Sequence, residues 1–466
     1  MNTKDLIRLG VPSGEPVKIA HAFMHEFVAR GHDGALLEAE IGELVSNPSA
    51  YFADELRAPL ARAIYRPPFT PRAQLAPWRQ WGEGLDAEAV KQMANSCALP
   101  VAVAGALMPD AHVGYGLPIG GVLATDNAVI PYAVGVDIAC RMKLTVYERK
   151  ANTIPGQRDR LANLIEDETR FGMGCSFKQR RDHSVMDEDW SVSPITHRLR
   201  DKAWSQLGTS GSGNHFVEFG AFVIKERDAS LGLAAGEYLA LLSHSGSRGT
   251  GAQVCDFYSK RAMSRHEYLP KELKHLAWLS LDDEDGQEYW AAMNLMGHYA
   301  AANHDLIHRH IGKKLGAHLI LDIENHHNFA WKERHVIQGV EREVIVHRKG
   351  ATPAGQGVLG IIPGSMASPG YVVRGKGLPE SLQSASHGAG RVMSRTKALQ
   401  TFTWSKVKKQ LAERGVELLS AGLDEVPGVY KDIDTVMAAQ TDLVEVLGRF
   451  DPKIVKMCPP GERAED

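Results

Sequence analysis

Apolar residues fall along this chain in two rhythms, one close to the helical repeat and one that alternates or runs unbroken for a few residues. The helical rhythm governs the start. His21–Ala29 and Gly34–Val45 are amphipathic at helical spacing, and Arg66-Pro67-Pro68-Phe69-Thr70-Pro71 reads as a linker after them. Beyond it the rhythms alternate. A helix is predicted over Asp86–Cys97, then an apolar strand ending at Met108, strands at Val122–Thr125 and Val129–Ile130, and the alternating Lys143–Tyr147. A helix over Asn152–Arg170 and the polar, irregular Phe171–Ser193 precede strands Phe216–Phe219 and Tyr238–Leu242. An Ala/Met-rich helix over Tyr289–Ile311 leads to strands Ala317–Ile323 and Glu343–His347. Such alternation through one region, with no repeat of fixed period, predicts a mixed α/β (α+β) fold. Its expected form is a single large domain over residues 73–466, preceded by a small helical extension over residues 1–72.

Composition narrows the function classes. The hydrophobic share of 44% and charged share of 23% are those of a globular chain, and no run approaches the roughly 18 apolar residues of a membrane span. The N-terminus lacks the apolar core of a signal peptide, and the five cysteines are scattered with no CxxC pair. Reduced thiols and a cytoplasmic location are therefore expected. The net charge of −3 hides an asymmetry: Arg374–Arg414 holds nine Lys/Arg against two acids, whereas Gly415–Asp451 holds eight acids against two bases. The basic segment is either a polyanion footprint or a solvated face.

Where the apolar runs end, glycines and histidines gather. Ser386-His387-Gly388-Ala389-Gly390-Arg391, followed by Ser394-Arg395, is the most concentrated case. Bare backbone N–H groups in a glycine turn can cradle phosphate oxygens, arginine binds them bidentately, and a histidine there can act as nucleophile or base. The alternative is an ordinary loop histidine. Metal-ligand candidates also sit at strand ends: Asp137 and Cys140, His215, His244, and His326 or His327. Carboxylate, thiolate and imidazole together suit a transition ion such as Mn or Zn rather than Ca or Mg. His304 and His308 share a helix face but lack the glutamate of a zincin site, with Asp305 in its place. They are expected to be packed or to face nucleic acid. No Walker A loop, GxSxG elbow or strand–GxGxxG–helix unit occurs.

Taken in order, the loops resemble those of the RtcB family of GTP-dependent RNA ligases. The resembling stretches are Pro109–Gly116, Gly135–Met142, Gly213–Glu218, Ser243–Gly249, His327-Asn328, His347–Ala351, Pro363–Met366, His387–Arg395 and Pro427–Asp432, within Trp78–Lys456. The resemblance implies two Mn2+ ions held by Asp137, Cys140, His215, His244 and His327, with the Cys140 thiolate bridging. It implies nucleotide contacts from Asn214, His215, Phe216, Val217, Glu218, His327, Asn328, Pro363, Gly364, Ser365, Met366, His387, Gly388, Ala389, Gly390, Tyr430 and Lys456. RNA phosphates fall to Arg248, Arg391 and Arg395. The chain departs from the family pattern at Arg141, Ser212, His304 and Gly370.

His387 corresponds to the family nucleophile. The implied reaction uses GTP to form a GMP–histidine intermediate and joins RNA 3′-phosphate or 2′,3′-cyclic phosphate ends to 5′-hydroxyl ends, in tRNA splicing or RNA repair. An archease-type activator is an implied partner. Two other readings share the site: a nucleotidyl transferase or phosphodiesterase that caps or opens RNA 3′-phosphate ends without joining them, and a non-catalytic RNA-end binding protein.

Overall fold

The structure, a computed structural model, describes residues 1–12, 14–65 and 69–462. Residues 66–68 of the expected linker lie outside the described residues. The chain forms two compact units, Met1–Thr70 with Glu267–Leu269, and Pro71–His266 with Pro270–Asp466.

The first unit is helical. Its helices Thr3–Arg8, Glu15–Ala29, Leu37–Ser46 and Ala58–Ile64 enclose a core that includes Leu6, Phe23, Phe27, Ile41, Leu44 and Leu60. Local chemistry marks the starts: Asn2 and Asp5 form a reciprocal capping box, and Pro16 lies in the first turn of the second helix.

The second unit is mixed α/β, built on two sheets. In the eight-stranded sheet the order is Leu359–Ile362, Gly370–Gly375, Val444–Met457, Phe216–Ile224, Gly236–Ser245, Arg141–Lys150 and Leu319–His326, with Glu417–Ser420 paired beside Val444–Met457. Its strands alternate faces with a period of two. Leu239 and Leu241 pack with Ile165, Ile307 and Ile311 of helices Arg158–Glu168 and Glu284–Leu315, while Ala240 and Leu242 join Met142, Leu144 and Phe450 in another cluster. Both faces are thus apolar, which explains the unbroken apolar runs in the sequence. The five-stranded sheet runs Trp78–Gln80, Ala102–His112, Ile119–Thr125, Val340–Lys349 and Asn328–Ile337. Its core includes Ala106, Met108, Val122, Val344 and Val346.

Register places the site. Phe216 pairs with His244, Met142 with His244, and Arg141 with both Ser245 and His326. Four adjacent strands therefore bring Cys140, His215, His244 and His327 to one edge of the larger sheet. His327 is also the single residue between strand Leu319–His326 of that sheet and strand Asn328–Ile337 of the smaller one. The short pair Ala351–Pro353 and Ser384–Ser386 delivers His387 to the same place, because Ala351 pairs with Ser386.

Most expected elements occur; most strands run longer than expected, whereas the helix expected over Asn152–Arg170 is shorter, Arg158–Glu168, behind two single 3-10 turns. The strand expected to end at Met108 continues through Pro109 and Asp110 to His112, across a register shift against Ile119–Thr125. The helix expected over Tyr289–Ile311 spans Glu284–Leu315 and ends where Gly316 adopts a left-handed conformation. The five cysteines form no disulfide among the described residues, and no helix among them is long and apolar enough to cross a membrane.

Candidate active site

Ligand-type atoms converge at the sheet edge. Cys140 Sγ lies 3.0 Å from His244 Nε2 and 3.4 Å from His215 Nε2, and His244 Nε2 lies 3.2 Å from His327 Nε2. Asp137 Oδ2 is 2.9 Å from His215 Nε2. All five residues are buried. With Nδ1 of His244 bonded to a carbonyl, its single Nε2 lone pair faces both the Cys140 sulfur and His327 Nε2, and ligand atoms of Cys140, His215 and His244 lie within 4.8 Å of one another. The arrangement fits a cation at their centre.

The surroundings set the donors up for that task. His244 Nδ1 faces the Asn214 carbonyl at 3.1 Å, a hydrogen bond that leaves the Nε2 lone pair toward the cluster. Burial lowers the pKa of His244 to about 3 and holds His327 well below the usual imidazole range, so both rings are neutral and able to ligate. Burial works to raise the Asp137 carboxyl, but the hydrogen bond and charge of His215 prevail and hold it below its ordinary value. Ser247 N–H donates to Asp137 Oδ1 at 2.9 Å, and a Cβ on Gly246 would overlap that carboxylate. The Asn328 side chain ties the Asp137 loop to Gly350, donating to the Asp137 carbonyl at 3.2 Å and accepting from Gly350 N–H at 2.8 Å. Nδ1 of His215 and of His327 is buried with no hydrogen-bond partner among the described residues. Thiolate, imidazole and carboxylate together fit a transition-metal ion.

His387 stands beside this cluster, its ring centroid 4.8 Å from that of His327. Its Nδ1 is 2.7 Å from Asp110 Oδ2, which leaves Nε2 as the basic nitrogen. Asp110 is fully buried. Its carboxyl is raised by burial, but His387 and Lys431 together bring it below the usual range. Lys431 Nζ donates to the carbonyls of Pro109 and Ala111, fixing the strand end that carries Asp110. Gly390 has φ +74°, and a Cβ there would run into the Asp110 carbonyl. Asp110 falls within the resembling stretch Pro109–Gly116 but is given no role by the resemblance. It lies in a stretch expected to be loop, 277 positions before its partner.

A cleft of about 1680 Å³ opens over both groups. Of the expected residues, Asp137, Cys140, Asn214, Phe216, Glu218, His244, His327, Asn328, Pro363–Met366, His387–Gly390, Tyr430, Arg391 and Arg395 line it. Glu218 is buried without a compensating charge, so its carboxyl is pushed well above the usual range, which favours the protonated form. Such a group can donate as well as accept toward a nucleobase. His215 lies just behind the cleft wall, Val217 packs in the core with Phe219 and Ile454, and Lys456 pairs with Glu166.

The arginines are held by protein groups. Arg391 pairs with Glu425 at 3.1 Å and donates to the Asp424 carbonyl at 2.8 Å; Arg395 pairs with Asp424 at 2.9 Å and with Glu425. Arg374 pairs with Asp228 and Glu445. The acidic segment therefore supplies partners to the basic one. Arg248 is buried, with φ +60°, and donates to Thr209 Oγ1 at 3.2 Å. Arg141 turns to Glu324 at 3.1 Å. His304 and His308 are packed: both approach Ser243 Oγ at 2.7 Å, and His308 also meets Thr145 Oγ1 at 2.7 Å.

Comparison with known proteins gives the same picture along the chain. The family model described as tRNA-splicing ligase RtcB matches residues 92–457. The RNA-splicing ligase RtcB of Escherichia coli is 33% identical over 406 residues, covering 80% of this chain and 95% of the relative. The tRNA-splicing ligase RtcB of Methanococcus maripaludis is 32% identical over 451 residues, covering 81% and 92%. The RNA-splicing ligase RtcB of Mycobacterium tuberculosis is 34% identical over 429 residues, covering 78% and 98%. A buried Cys/His cluster beside a carboxylate-held histidine, and relatives matched over nearly their whole length, lead to one conclusion: the chain belongs to the RtcB family.

Proposed function

We propose that this protein joins RNA 3′-phosphate or 2′,3′-cyclic phosphate ends to 5′-hydroxyl ends, using GTP and Mn2+, in tRNA splicing or RNA repair. One observation carries the reading: a histidine held at Nδ1 by a buried carboxylate, with Nε2 available, lies next to a thiolate–imidazole–carboxylate cluster in a large cleft. Asp137, Cys140, His215, His244 and His327 would hold two Mn2+ ions. Bound there, the ions would neutralise phosphate charge and polarise P–O bonds.

The protein's own groups divide the chemistry. His387 Nε2 attacks the α-phosphorus of GTP, and pyrophosphate leaves with the bonding electron pair. Asp110 stabilises the positive charge that builds on the imidazole. The GMP group passes to an oxygen of the RNA 3′-phosphate and frees His387. The 5′-hydroxyl then attacks that activated phosphate, forming the phosphodiester and releasing GMP. A cyclic end is first opened to the 3′-phosphate. Phe216, Met366, Tyr430 and Glu218 suit the guanine side, and the backbone of His387–Gly390 suits the phosphates.

The test is direct. With α-labelled GTP and Mn2+ the protein should form an acid-labile, alkali-stable adduct, and His387→Ala should form none. An equally strong adduct in His387→Ala refutes the nucleophile.

A further inference from the structure

The cleft is larger than the roughly 300–1,000 Å³ of ordinary small-molecule sites. Much of its wall lies away from the cluster and His387. There, at the tip of the loop between strands Ala102–His112 and Ile119–Thr125, Tyr115 lines the cleft while 66% exposed. A single exposed aromatic residue ordinarily means nothing. This one is held in place by its neighbours on both sides.

Gln92 grips Gly114 through both backbone polar groups, donating to its carbonyl at 2.7 Å and accepting from its N–H at 3.0 Å. Lys349 Nζ donates to the Tyr115 carbonyl at 2.6 Å. Gly116 has φ +72°, and a Cβ there would lie 2.9 Å from the His275 carbonyl oxygen. The loop is therefore pressed onto His275, whose ring meets Tyr115 edge-on at 5.6 Å and Tyr132 at 4.5 Å. Three consecutive residues are fixed, and an aromatic ring is left open to the cleft.

Lys349 also sets where this ring stands. The next residue, Gly350, abuts the nucleophile: a Cβ on it would lie 3.1 Å from His387 Cε1. The Tyr115 loop is thus one lysine side chain from the strand beside the reacting histidine. The guanine-side candidates form a different group, since Phe216, Met366 and Tyr430 pack with Met393 and Phe402. The cleft has two aromatic stations, and only one is needed for a nucleotide cofactor.

We infer that Tyr115 is a stacking platform for a base of the RNA substrate close to its reacting end. The inference rests on the RNA-ligase reading above and adds a binding residue to it. Stacking suits an enzyme that must accept many end sequences, because every base has a π-face, and a fixed ring loses little entropy on binding.

The test separates this inference from the functional reading by using RNA affinity, which requires no chemistry. Fluorescence anisotropy of the full-length protein with labelled single strands, one bearing a 3′-phosphate and the other a 5′-hydroxyl, gives the dissociation constants. Tyr115→Ala should weaken one strand about tenfold or more. Tyr115→Phe should bind like wild type, and thermal melting should show both variants folded. An abasic nucleotide near the labelled end should reproduce the loss in wild type and add nothing in Tyr115→Ala. The strand showing this non-additivity is the one whose base is stacked. Unchanged affinity in Tyr115→Ala, or losses that simply add, overturn the platform. Failure of the wild type to form the GMP adduct would instead refute the ligase reading and leave this measurement intact.

Discussion

One oxygen of Asp110 holds His387 by its ring and its backbone together: Oδ2 accepts from Nδ1 at 2.7 Å and from the His387 N–H at 3.2 Å. Tautomer and position of the His387 ring are fixed by the same atom. In Asp110→Asn the new amide can offer an N–H to Nδ1, which moves the ring proton to Nε2 and removes the attacking lone pair. Adduct formation in single turnover should fall about 100-fold or more. A rate near wild type would remove Asp110 from the mechanism.

Metal dependence should follow the cluster. Chelation should abolish adduct formation and Mn2+ should restore it. Cys140→Ala should lose at least about 100-fold in Mn2+ affinity, measured by elemental analysis after equilibrium dialysis. Full metal occupancy in the variant would exclude the thiolate as a ligand.

Gly246 gives a steric test of the same site. Its Cβ position overlaps the Asp137 carboxylate, so Gly246→Ala must displace that group although no ligand is altered. Metal binding should weaken at least tenfold, while Gly339→Ala, at a left-handed turn position with open space around it, should leave metal binding as it is and cost about 1 kcal/mol in stability. Equal metal affinity in both variants would contradict the packing described.

Acid sensitivity should come partly from His347. It is fully buried, accepts from Ile130 N–H at 2.9 Å through Nε2, and approaches the Leu123 carbonyl through Nδ1 at 3.2 Å. Burial brings its pKa down to about 4, below the 6.5 of an exposed imidazole. The unfolded chain therefore binds the extra proton first. Stability is complete above about pH 6.5 and falls by up to about 1.4 kcal/mol per pH unit toward pH 4. Chemical denaturation of wild type and His347→Gln should give a shallower pH slope for the variant over that window. Parallel slopes would remove His347 as a source.

The clustered residues were legible because each sits at the end of an apolar run: Cys140, His215 and His327 adjoin, and His244 lies next to the end of, strands that are neighbours in one sheet. Chain order carried the rest of that signal. The role of Asp110 was illegible although its stretch was noticed, because its partner is 277 residues away and the stretch continues a strand instead of forming a loop. The charge asymmetry, which left a polyanion footprint and a solvated face open, resolves into pairing. Arg391 and Arg395 reach the cleft as expected, yet Asp424 and Glu425 from the acidic segment already hold them. Sequence blocks of opposite sign can cancel on folding, and only tertiary pairing reveals it. Arg248 carries a backbone strain and a burial that no local pattern announces.

The single-residue step at His327 has a mechanical consequence. Cys140, His215 and His244 belong to one bank of a seam, while His387 hangs from the strand pair that continues the other. The spacing between the cluster and His387 is therefore set by how two sheets lie against each other, and no single loop can correct an error in it. A cavity cut into the smaller sheet's core, far from any ligand, would shift that alignment as a carpenter's shim shifts a joint. Slow variants with a full set of ligands are then to be sought among substitutions such as Val346→Ala, which touch no phosphate.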